Sequence, residues 1–367
     1  MKYPRMPYKG EGTQYETRKI PFSALDFDIP LFDLPITPAE NYKLSWKRKT
    51  PVWAPVSLTD FDSLRIIGRH STYPAFNKER VEYDDDWGVK WVYVPEVGGS
   101  MHKPGFQLLD DITKWEKELK FPDWKDNDWK EYAEEFYKNR KNSDKVLSLN
   151  IGCGCSQMLV SVMGGYSDAM IAMAEEPEAV REFCDAYIDN TIERYDIMKG
   201  FYPDVNVIGY NDDWGMERNA FYSIAYYEAM IYEPTKRFVS HVKDSGDICF
   251  ELHSCGKIEQ FLPHMIDIGA DILQIQRRAN DMPALKEKYG DMIGFCCSLE
   301  GVELNTNSPK ELWLENLRKT IDVYGRRGGL YIMLGNPPDA ETMWDLCYES
   351  YCYSREKYDQ ERSSLHE

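Results

Sequence analysis

One short stretch of the sequence, His253-Ser254-Cys255-Gly256, holds residue types that can bind a metal ion. It overlaps the end of a predicted β-strand over Ile248–His253, which is indicated by an apolar run. Side chains two residues apart in a strand point to the same face, so His253 and Cys255 can reach one ion, with Glu251 one step deeper. An imidazole beside a thiolate favours zinc over magnesium or calcium. Core packing of the same residues is the alternative.

A zinc site needs a third protein ligand, and Cys296 and Cys297 in a later predicted strand are the candidates. Adjacent strand residues face opposite ways, so one of these two thiols must point inward. Three protein ligands leave the fourth position of zinc open, which is the catalytic form of such a site. Free cysteines are also common in cores without a metal, and that is again the alternative.

Two carboxylates, Asp212 and Asp213, follow another predicted strand. Together with Glu251 they are candidate catalytic residues, because a carboxylate can orient a substrate or exchange a proton with it. The structural alternative is that the two aspartates cap the next helix and pair with Arg218 or Lys236.

Three aromatic residues, Trp87, Tyr210 and Trp214, are candidate substrate-binding residues. Aromatic residues make up 14% of the chain, and such side chains often line pockets for flat apolar ligands. Packing within the protein is the alternative for each ring.

The elements that must position these residues alternate regularly from residue 145 onward. Short apolar strands alternate with helices, a pattern typical of βαβ units and a parallel sheet. Counting a first strand at Val52–Val56, about seven strand–helix steps are present, close to the eight of a (β/α)8 TIM barrel. Active residues of that fold lie at the carboxyl ends of strands, where Asp213, His253 and Cys297 stand. A doubly wound sheet is the alternative, but Ile151–Cys155 lacks the third glycine of its phosphate turn.

The expected domain organisation is an N-terminal arm and first helix over residues 1–50, then a single barrel over 51–360. An insertion at about 70–145 is expected to build one wall of a cleft. Thr37-Pro38-Ala39-Glu40 marks the start of the first helix, since it combines a capping box with proline at the first helical position. Further predicted elements are strands over Lys145–Ile151 and Val205–Tyr210 and helices over Gln157–Ala174 and Ala225–Asp244.

The composition restricts the class of protein. The chain has 367 residues and a net charge of −18, from 44 Lys and Arg against 62 Asp and Glu. Nucleic acids and anionic membranes attract positive surfaces, so we expect neither as a partner. The 9 cysteines are odd in number and irregularly spaced, and the N-terminus has no apolar run of signal-peptide length. These features favour a reduced, cytoplasmic protein.

The sequence resembles the uroporphyrinogen decarboxylase superfamily and, within it, the corrinoid-dependent methyltransferases. The resemblance covers nearly the whole chain. Its most specific part is His253–Gly256, which precedes a helix that ends in Gly269-Ala270-Asp271. The other matching motifs are Thr37–Asn41, Asp86–Val89, Asp212–Gly215, Tyr232–Pro234 and Pro337–Asp339.

Two departures narrow what the resemblance implies. Decarboxylase members have an N-terminal Met-Arg-Gln-Ala-Gly-Arg segment that grips substrate carboxylates, and its absence here argues against porphyrinogen decarboxylation. Members that methylate coenzyme M take their third zinc ligand from a Gly-Cys near the last strand, where this chain reads Gly335-Asn336. The resemblance therefore implies that Cys296 or Cys297 replaces that ligand, or that a carboxylate such as Glu251 does.

The subgroup that the chain resembles most is the first methyltransferase of anaerobic aryl-ether O-demethylase systems. The resemblance implies transfer of a methyl group from a methoxylated aromatic to cobalt(I) of a corrinoid protein. It also implies Zn2+ as a Lewis acid and a corrinoid that the partner protein carries. A methylcobamide:thiol methyltransferase is the first alternative, and a decarboxylase-like or non-catalytic binding barrel is the second. The oligomeric state stays open, with a homodimer as one option.

Overall fold

A computed structural model describes residues 17–19, 28–65, 82–94, 99–140 and 143–364. Contacts between residues group the chain into two compact units. The first unit comprises residues 1–63, 143–147 and 271–367, and the second comprises residues 64–142 and 148–270. The expected arm and insertion lie partly outside the described residues, at 1–16, 20–27, 70–81, 95–98 and 141–142.

Twelve β-strands occur in the described residues. They are β1 Thr17–Lys19, β2 Asp28–Pro30, β3 Phe61–Arg65, β4 Glu82–Asp84, β5 Lys90–Val94, β6 Gly99–His102, β7 Val146–Cys153, β8 Val207–Asn211, β9 Cys249–Ser254, β10 Ile272–Ile275, β11 Gly294–Ser298 and β12 Leu330–Met333.

Thirteen α-helices occur in the same residues. They are α1 Pro38–Trp46, α2 Ser57–Asp60, α3 Trp115–Glu118, α4 Trp129–Asn139, α5 Cys155–Val162, α6 Tyr166–Glu175, α7 Pro177–Phe201, α8 Ile224–Met230, α9 Tyr232–Asp244, α10 Leu262–Asp267, α11 Met282–Tyr289, α12 Lys310–Tyr324 and α13 Ala340–Ser364. None of the helices in the described ranges is long and apolar enough to cross a lipid bilayer.

The second unit contains a parallel layer formed by β7, β8 and β9. Leu149 lies opposite Ile208, and Ile208 lies opposite Phe250, so the three strands run in register through the core. All three side chains are fully buried. Helices α5 to α7 join β7 to β8, and α8 and α9 join β8 to β9. Each parallel pair is therefore connected by a helical crossover, as parallel pairing requires.

The first unit contains the parallel strands β10, β11 and β12, joined by α11 and α12. Leu273 lies opposite Phe295, which lies opposite Leu330. Helix α1 is tied to this layer, because the Ser45 hydroxyl donates to the Leu330 carbonyl at 2.9 Å. Parallel strands and helices thus alternate along the chain in both units, and the predicted (β/α)8 TIM-barrel class is confirmed.

The predicted strand over Val52–Val56 is wrong. Val56 makes only an isolated parallel bridge to Ile332, and the strand of this region is β3. The Asn41 side chain explains the difference. It accepts from the Val52 amide at 2.7 Å and donates to the Trp53 carbonyl at 2.9 Å. These backbone groups are therefore satisfied by a side chain of α1 instead of a strand ladder.

Helix α1 confirms the predicted start, because Thr37 and Glu40 form the reciprocal capping box. Two predicted helices are each divided in two. The helix over Gln157–Ala174 is interrupted after α5 at Gly164, which has φ +77°, a backbone conformation that favours glycine. The helix over Ala225–Asp244 is interrupted between α8 and α9, where Pro234 lacks the amide that a continuous helix would use.

The described part of the predicted insertion contains a three-stranded antiparallel sheet in the order β4-β5-β6. Trp91 lies opposite both Tyr83 and His102 in this sheet. The segment is tied to α5, because the Leu108 amide donates to the Val162 carbonyl at 2.9 Å. The described part of the insertion therefore lies beside the helix that follows β7.

Candidate metal centre

Strand β9 presents two polar side chains on the face that points away from its covering helix. The Phe250 ring packs against Phe238 of α9, with centroids 5.8 Å apart. Alternate strand residues point the opposite way, so Glu251 and His253 share the other face, as predicted. Glu251 lies opposite Gly209 of β8, which has no side chain to fill the space beside the carboxylate.

The turn after β9 brings Cys255 against the turn after β8. Gly256 has φ +83°, and a Cβ at this position would overlap the carbonyl carbon of Gly215. Only glycine allows this combination of backbone conformation and close approach. The Lys257 amide donates to the Met216 carbonyl at 2.9 Å, which holds the two turns together.

Asp213, His253 and Cys255 form a cluster where these turns meet. Each offers one metal-binding atom, and these atoms all lie within 4.8 Å of one another. Cys255 Sγ is 3.4 Å from His253 Nε2, which is 3.6 Å from Asp213 Oδ1. The Cys255 amide donates to the same Asp213 oxygen at 2.9 Å. The side chains of His253 and Asp213 are 27% and 25% exposed, so solvent reaches the cluster.

Burial raises the pKa of one side chain of the cluster, Cys255, and of one neighbouring side chain, Glu251. It raises the pKa of the Cys255 thiol to about 12, and the charge of Asp213 acts in the same direction. Burial also raises the pKa of Glu251 to about 7, and its carboxylate has no hydrogen bond within the described ranges.

The cluster fits a zinc ion in its donor chemistry. Zinc binds imidazole nitrogen, thiolate sulfur and carboxylate oxygen, and three protein donors leave a position open. His253 Nδ1 is buried and lacks a hydrogen-bond partner among the residues that the structure describes. A buried core histidine normally satisfies its ring nitrogens. Nε2 is the nitrogen that faces Cys255 and Asp213, so it is the atom that a zinc ion would use.

Asp212 uses both carboxylate oxygens to hold the start of α5. Oδ1 accepts from the Gln157 amide at 2.9 Å, and Oδ2 accepts from the Ser156 amide at 3.3 Å and from Trp214 Nε1 at 2.8 Å. The residue is fully buried, and burial raises its pKa to about 7. Asp212 therefore caps the preceding helix, α5, and not the following helix as expected. Lys236, an expected partner of the two aspartates, pairs with Asp267. A catalytic role for Asp212 stays a prediction.

Tyr210 and Trp214, two of the candidate substrate-binding residues, lie in the core. Both are fully buried. The Tyr210 ring is 5.5 Å from that of Phe238, and the Trp214 ring is 4.8 Å from that of Tyr227. Contact of either ring with a substrate would require rearrangement of these aromatic contacts, so their binding role stays a prediction.

Trp87 is half-buried and lies in a loop of the insertion. Its ring is 4.7 Å from that of Phe121 and 5.5 Å from that of Tyr187. Its amide donates to Asp85 Oδ1 at 2.9 Å. Neighbouring loop residues line a cavity of about 640 Å³. The structure places Trp87 next to an open space, and its binding role stays a prediction.

Cys296 and Cys297 are buried in β11 of the first unit. The Cys296 sulfur accepts from the Gln274 amide group at 3.7 Å, and burial raises the pKa of Cys297 to about 12. Within the described ranges, the three-residue group that can hold a metal has Asp213 as its third member. Zinc ligation by either cysteine stays a prediction.

The proximity of Asp213 to His253 and Cys255 is what sequence reasoning missed. The signal was present, because Asp213 follows β8 and Cys255 follows β9. Carboxyl ends of neighbouring parallel strands lie at the same edge of a sheet. From the sequence, Asp213 is predicted to orient a substrate or exchange a proton, and Cys296 and Cys297 are the candidates for the third ligand. Tyr166, whose hydroxyl is influenced by the charge of Asp213, carried no sequence motif.

Comparison with known families identifies the class of protein. The sequence profile of uroporphyrinogen decarboxylase (URO-D) matches residues 85–335, more than half of the chain. The protein therefore belongs to the URO-D family. The matched range includes all three residues of the cluster. No curated protein sequence gives a significant match to the chain.

One of the similar solved structures supports this assignment at the level of the fold. A methyltransferase from Methanosarcina mazei aligns with a TM-score of 0.61 at 12% identity, covering 88% of this chain and 99% of that chain. At this identity the likeness establishes the fold alone. A D-psicose 3-epimerase from Clostridium cellulolyticum H10 aligns over 61% of this chain and 82% of its own, with a TM-score of 0.36 at 12% identity. A dihydropteroate synthase from Xanthomonas albilineans covers 40% and 53%, with a TM-score of 0.29 at 7% identity.

Proposed function

We propose that this protein is a zinc-dependent methyltransferase that moves a methyl group from a methoxylated aromatic compound to cobalt(I) of a separate corrinoid protein. The Asp213–His253–Cys255 cluster at the strand ends is the observation on which the proposal depends. Membership of the URO-D family and a barrel fold similar to that of a methyltransferase support it.

Asp213, His253 and Cys255 would hold the zinc ion. This ligand set differs from the one predicted from sequence, because a carboxylate takes the place of Cys296 or Cys297. When bound, zinc supplies a Lewis acid that stabilises negative charge on the ether oxygen. The Cys255 amide fixes the Asp213 oxygen at 2.9 Å, so the carboxylate is oriented before any ligand binds.

The reaction conserves atoms and electrons without an external oxidant. The bond between the methyl carbon and the aryl oxygen breaks, and its electron pair stays on the oxygen, which becomes a phenol on taking up a proton. A carbon–cobalt bond forms from the electron pair of cobalt(I), the methyl acceptor. A phenolate is a poor leaving group, so charge on this oxygen must be stabilised as the bond breaks.

Glu251 is the residue that we assign to positioning the donor. It shares the face of β9 with His253 and lies opposite Gly209, which carries no side chain. Its carboxylate has no hydrogen bond within the described ranges, so it is available to a ring hydroxyl of the substrate. A methoxyphenol would thus be held by its hydroxyl while its methoxy group reaches the cluster.

The test is methyl transfer to a reduced corrinoid protein from a panel of methoxylated aromatics, followed by the spectral change from cobalt(I) to methyl-cobalt. We expect transfer by the zinc-loaded protein, loss after chelation, and recovery when zinc is returned. Absence of transfer from every ether would contradict the proposal. Thiol-dependent demethylation of methylcobalamin would indicate the methylcobamide:thiol reaction instead. A protein that binds no zinc and gains no thermal stability with any donor would be a binding barrel.

A further inference from the structure

Tyr166 follows a turn that separates two helices. The segment that follows β7 forms α5 and α6, and Tyr166 is the first residue of α6. The break depends on Gly164, because a Cβ there would lie 2.7 Å from the Phe106 carbonyl oxygen. This turn, and not the helix that the sequence predicts, sets the position of the tyrosine.

The ring of Tyr166 is held by Phe221. Their centroids are 4.2 Å apart and the rings are nearly parallel, at 20°. Phe221 is in turn fixed to the turn that follows β8, because its amide donates to the Trp214 carbonyl at 2.9 Å. Trp214 is the residue next to Asp213, so the aromatic pair is attached to the backbone of the metal-binding cluster.

The hydroxyl of Tyr166 is near enough to the cluster for Asp213 to act on its protonation. Burial raises the pKa of Tyr166, and the charge of Asp213 raises it further. A phenol in this environment stays protonated and can donate a hydrogen bond. Its hydroxyl makes no hydrogen bond within the described ranges, and the residue is 38% exposed.

We propose that Tyr166 is a substrate-binding residue whose hydroxyl donates a hydrogen bond to the oxygen of a phenol or aryl ether bound at the Asp213–His253–Cys255 cluster. This inference rests on the proposed function for the identity of the ligand. The stacked Phe221 keeps the Tyr166 ring in place. Because the aryl oxygen gains negative charge as its bond to the methyl group breaks, the hydrogen bond strengthens during the reaction and should affect kcat more than KM.

The experiment compares the zinc-loaded wild type with Tyr166→Phe, which keeps the stack on Phe221. Tyr132→Phe is the matched control, since Tyr132 is also 38% exposed and lies in α4. Hydrogen bonds to charged groups contribute enough to predict a loss of about 10-fold to 100-fold in kcat for Tyr166→Phe. The loss should grow as the phenol leaving group becomes more basic. Zinc content should stay unchanged, and Tyr132→Phe should behave as wild type.

A second measurement separates this inference from the proposed function. Cobalt(II) replaces zinc, and phenol binding is followed by the visible spectrum of the metal in the wild type and in Tyr166→Phe. A roughly tenfold weaker Kd in the variant is expected, whether or not any ether is demethylated. An equal Kd in the two proteins, or no phenol binding by the wild type, would overturn the inference. Failure of methyl transfer with a retained difference in Kd would overturn only the proposed function.

Discussion

The strand ends of the two units use polar residues in different ways. In the first unit, the Gln274 amide group of β10 donates to the Met333 sulfur of β12 at 2.9 Å and to the Cys296 sulfur of β11 at 3.7 Å. In the second unit, His253 Nδ1 and the Glu251 carboxylate have no hydrogen-bond partner within the described ranges. At these strand ends, the Gln274 side chain is used in the packing of the first unit, whereas Glu251 and His253 Nδ1 of the second unit remain available.

A candidate site differs from structural polar packing because some of its polar groups have no hydrogen-bond partner in the protein and can bind a ligand. Buried polar groups are normally satisfied, so those that are not indicate a ligand or water. The presence of a cysteine alone does not distinguish a candidate site from the core. Cys255 belongs to the region with unpartnered groups, whereas Cys297 is buried among the strands of the first unit.

The largest effect is expected from removing a ligand of the cluster. His253→Ala and Cys255→Ala should each lose bound zinc and reduce methyl transfer by more than about 100-fold, since even residues behind the ligands cost up to that factor. Zinc content by mass spectrometry of metals and the cobalt(I) assay measure both effects. Cys352→Ser, in α13 of the first unit, is the control and should retain both. Full activity of the two cluster variants without added metal would contradict a role for zinc.

The next prediction tests whether Asp213, in the second unit, or a cysteine of the first unit is the third zinc ligand. Asp213→Ala should weaken zinc affinity by about 10-fold to 100-fold, because it removes an oxygen donor and the acceptor of the Cys255 amide. Cys296→Ser and Cys297→Ser should keep the zinc affinity of the wild type. Competition with a chromogenic chelator gives the three affinities. Loss of zinc from either cysteine variant would restore the ligand set predicted from sequence.

A smaller effect is expected at the glycine that joins the two turns. Gly256→Ala introduces a Cβ that overlaps Gly215 at a residue with φ +83°, and strain of this kind costs about 1–3 kcal/mol. We expect a lower Tm and a weaker zinc affinity, because Cys255 moves relative to Asp213. Gly200→Ala in α7 has open space around its Cβ and should raise stability by up to about 1 kcal/mol. An unchanged zinc affinity in Gly256→Ala would show that the contact between the turns does not position the ligands.

The smallest effect on the cluster is expected from Asp60 in the first unit. Burial raises its pKa to about 6, although Oδ2 accepts from the Val56 amide at 2.8 Å and from Trp53 Nε1 at 3.1 Å. A raised carboxyl pKa means that the folded state binds the proton more tightly than the unfolded state does. The contribution of Asp60 to stability is thus greatest below about pH 4 and is lost as the pH rises to about 6.

Asp60→Asn keeps an acceptor oxygen but cannot ionise, so we expect a flatter dependence of Tm on pH between about 4 and 6. Thermal melts at several pH values measure this slope. Zinc binding and methyl transfer should be unchanged, since Asp60 serves packing in the other unit. An identical slope in wild type and variant would mean that Asp60 is not the group responsible. A loss of zinc from Asp60→Asn would contradict the view that zinc binding depends on the second unit alone.

Local patterns in the sequence predict most of the helices and strands. The capping box at Thr37 and the strand β9 follow from residue types within a few positions, because backbone preferences and period are local properties. Errors arose where a distant side chain or turn decided the outcome. The Asn41 side chain forms hydrogen bonds with the backbone of Val52 and Trp53, and these bonds take the place of the predicted strand pairing.

The sequence by itself determined the class of fold, the URO-D family and the shared face of Glu251 and His253, because period two in a strand fixes which side chains point together. Only the tertiary structure decided that Asp213 completes the cluster with Cys255. Their approach depends on two turns far apart in the chain, packed glycine against glycine at Gly215 and Gly256. No local pattern specifies such a contact, since it results from the packing of backbone on backbone between separate strands.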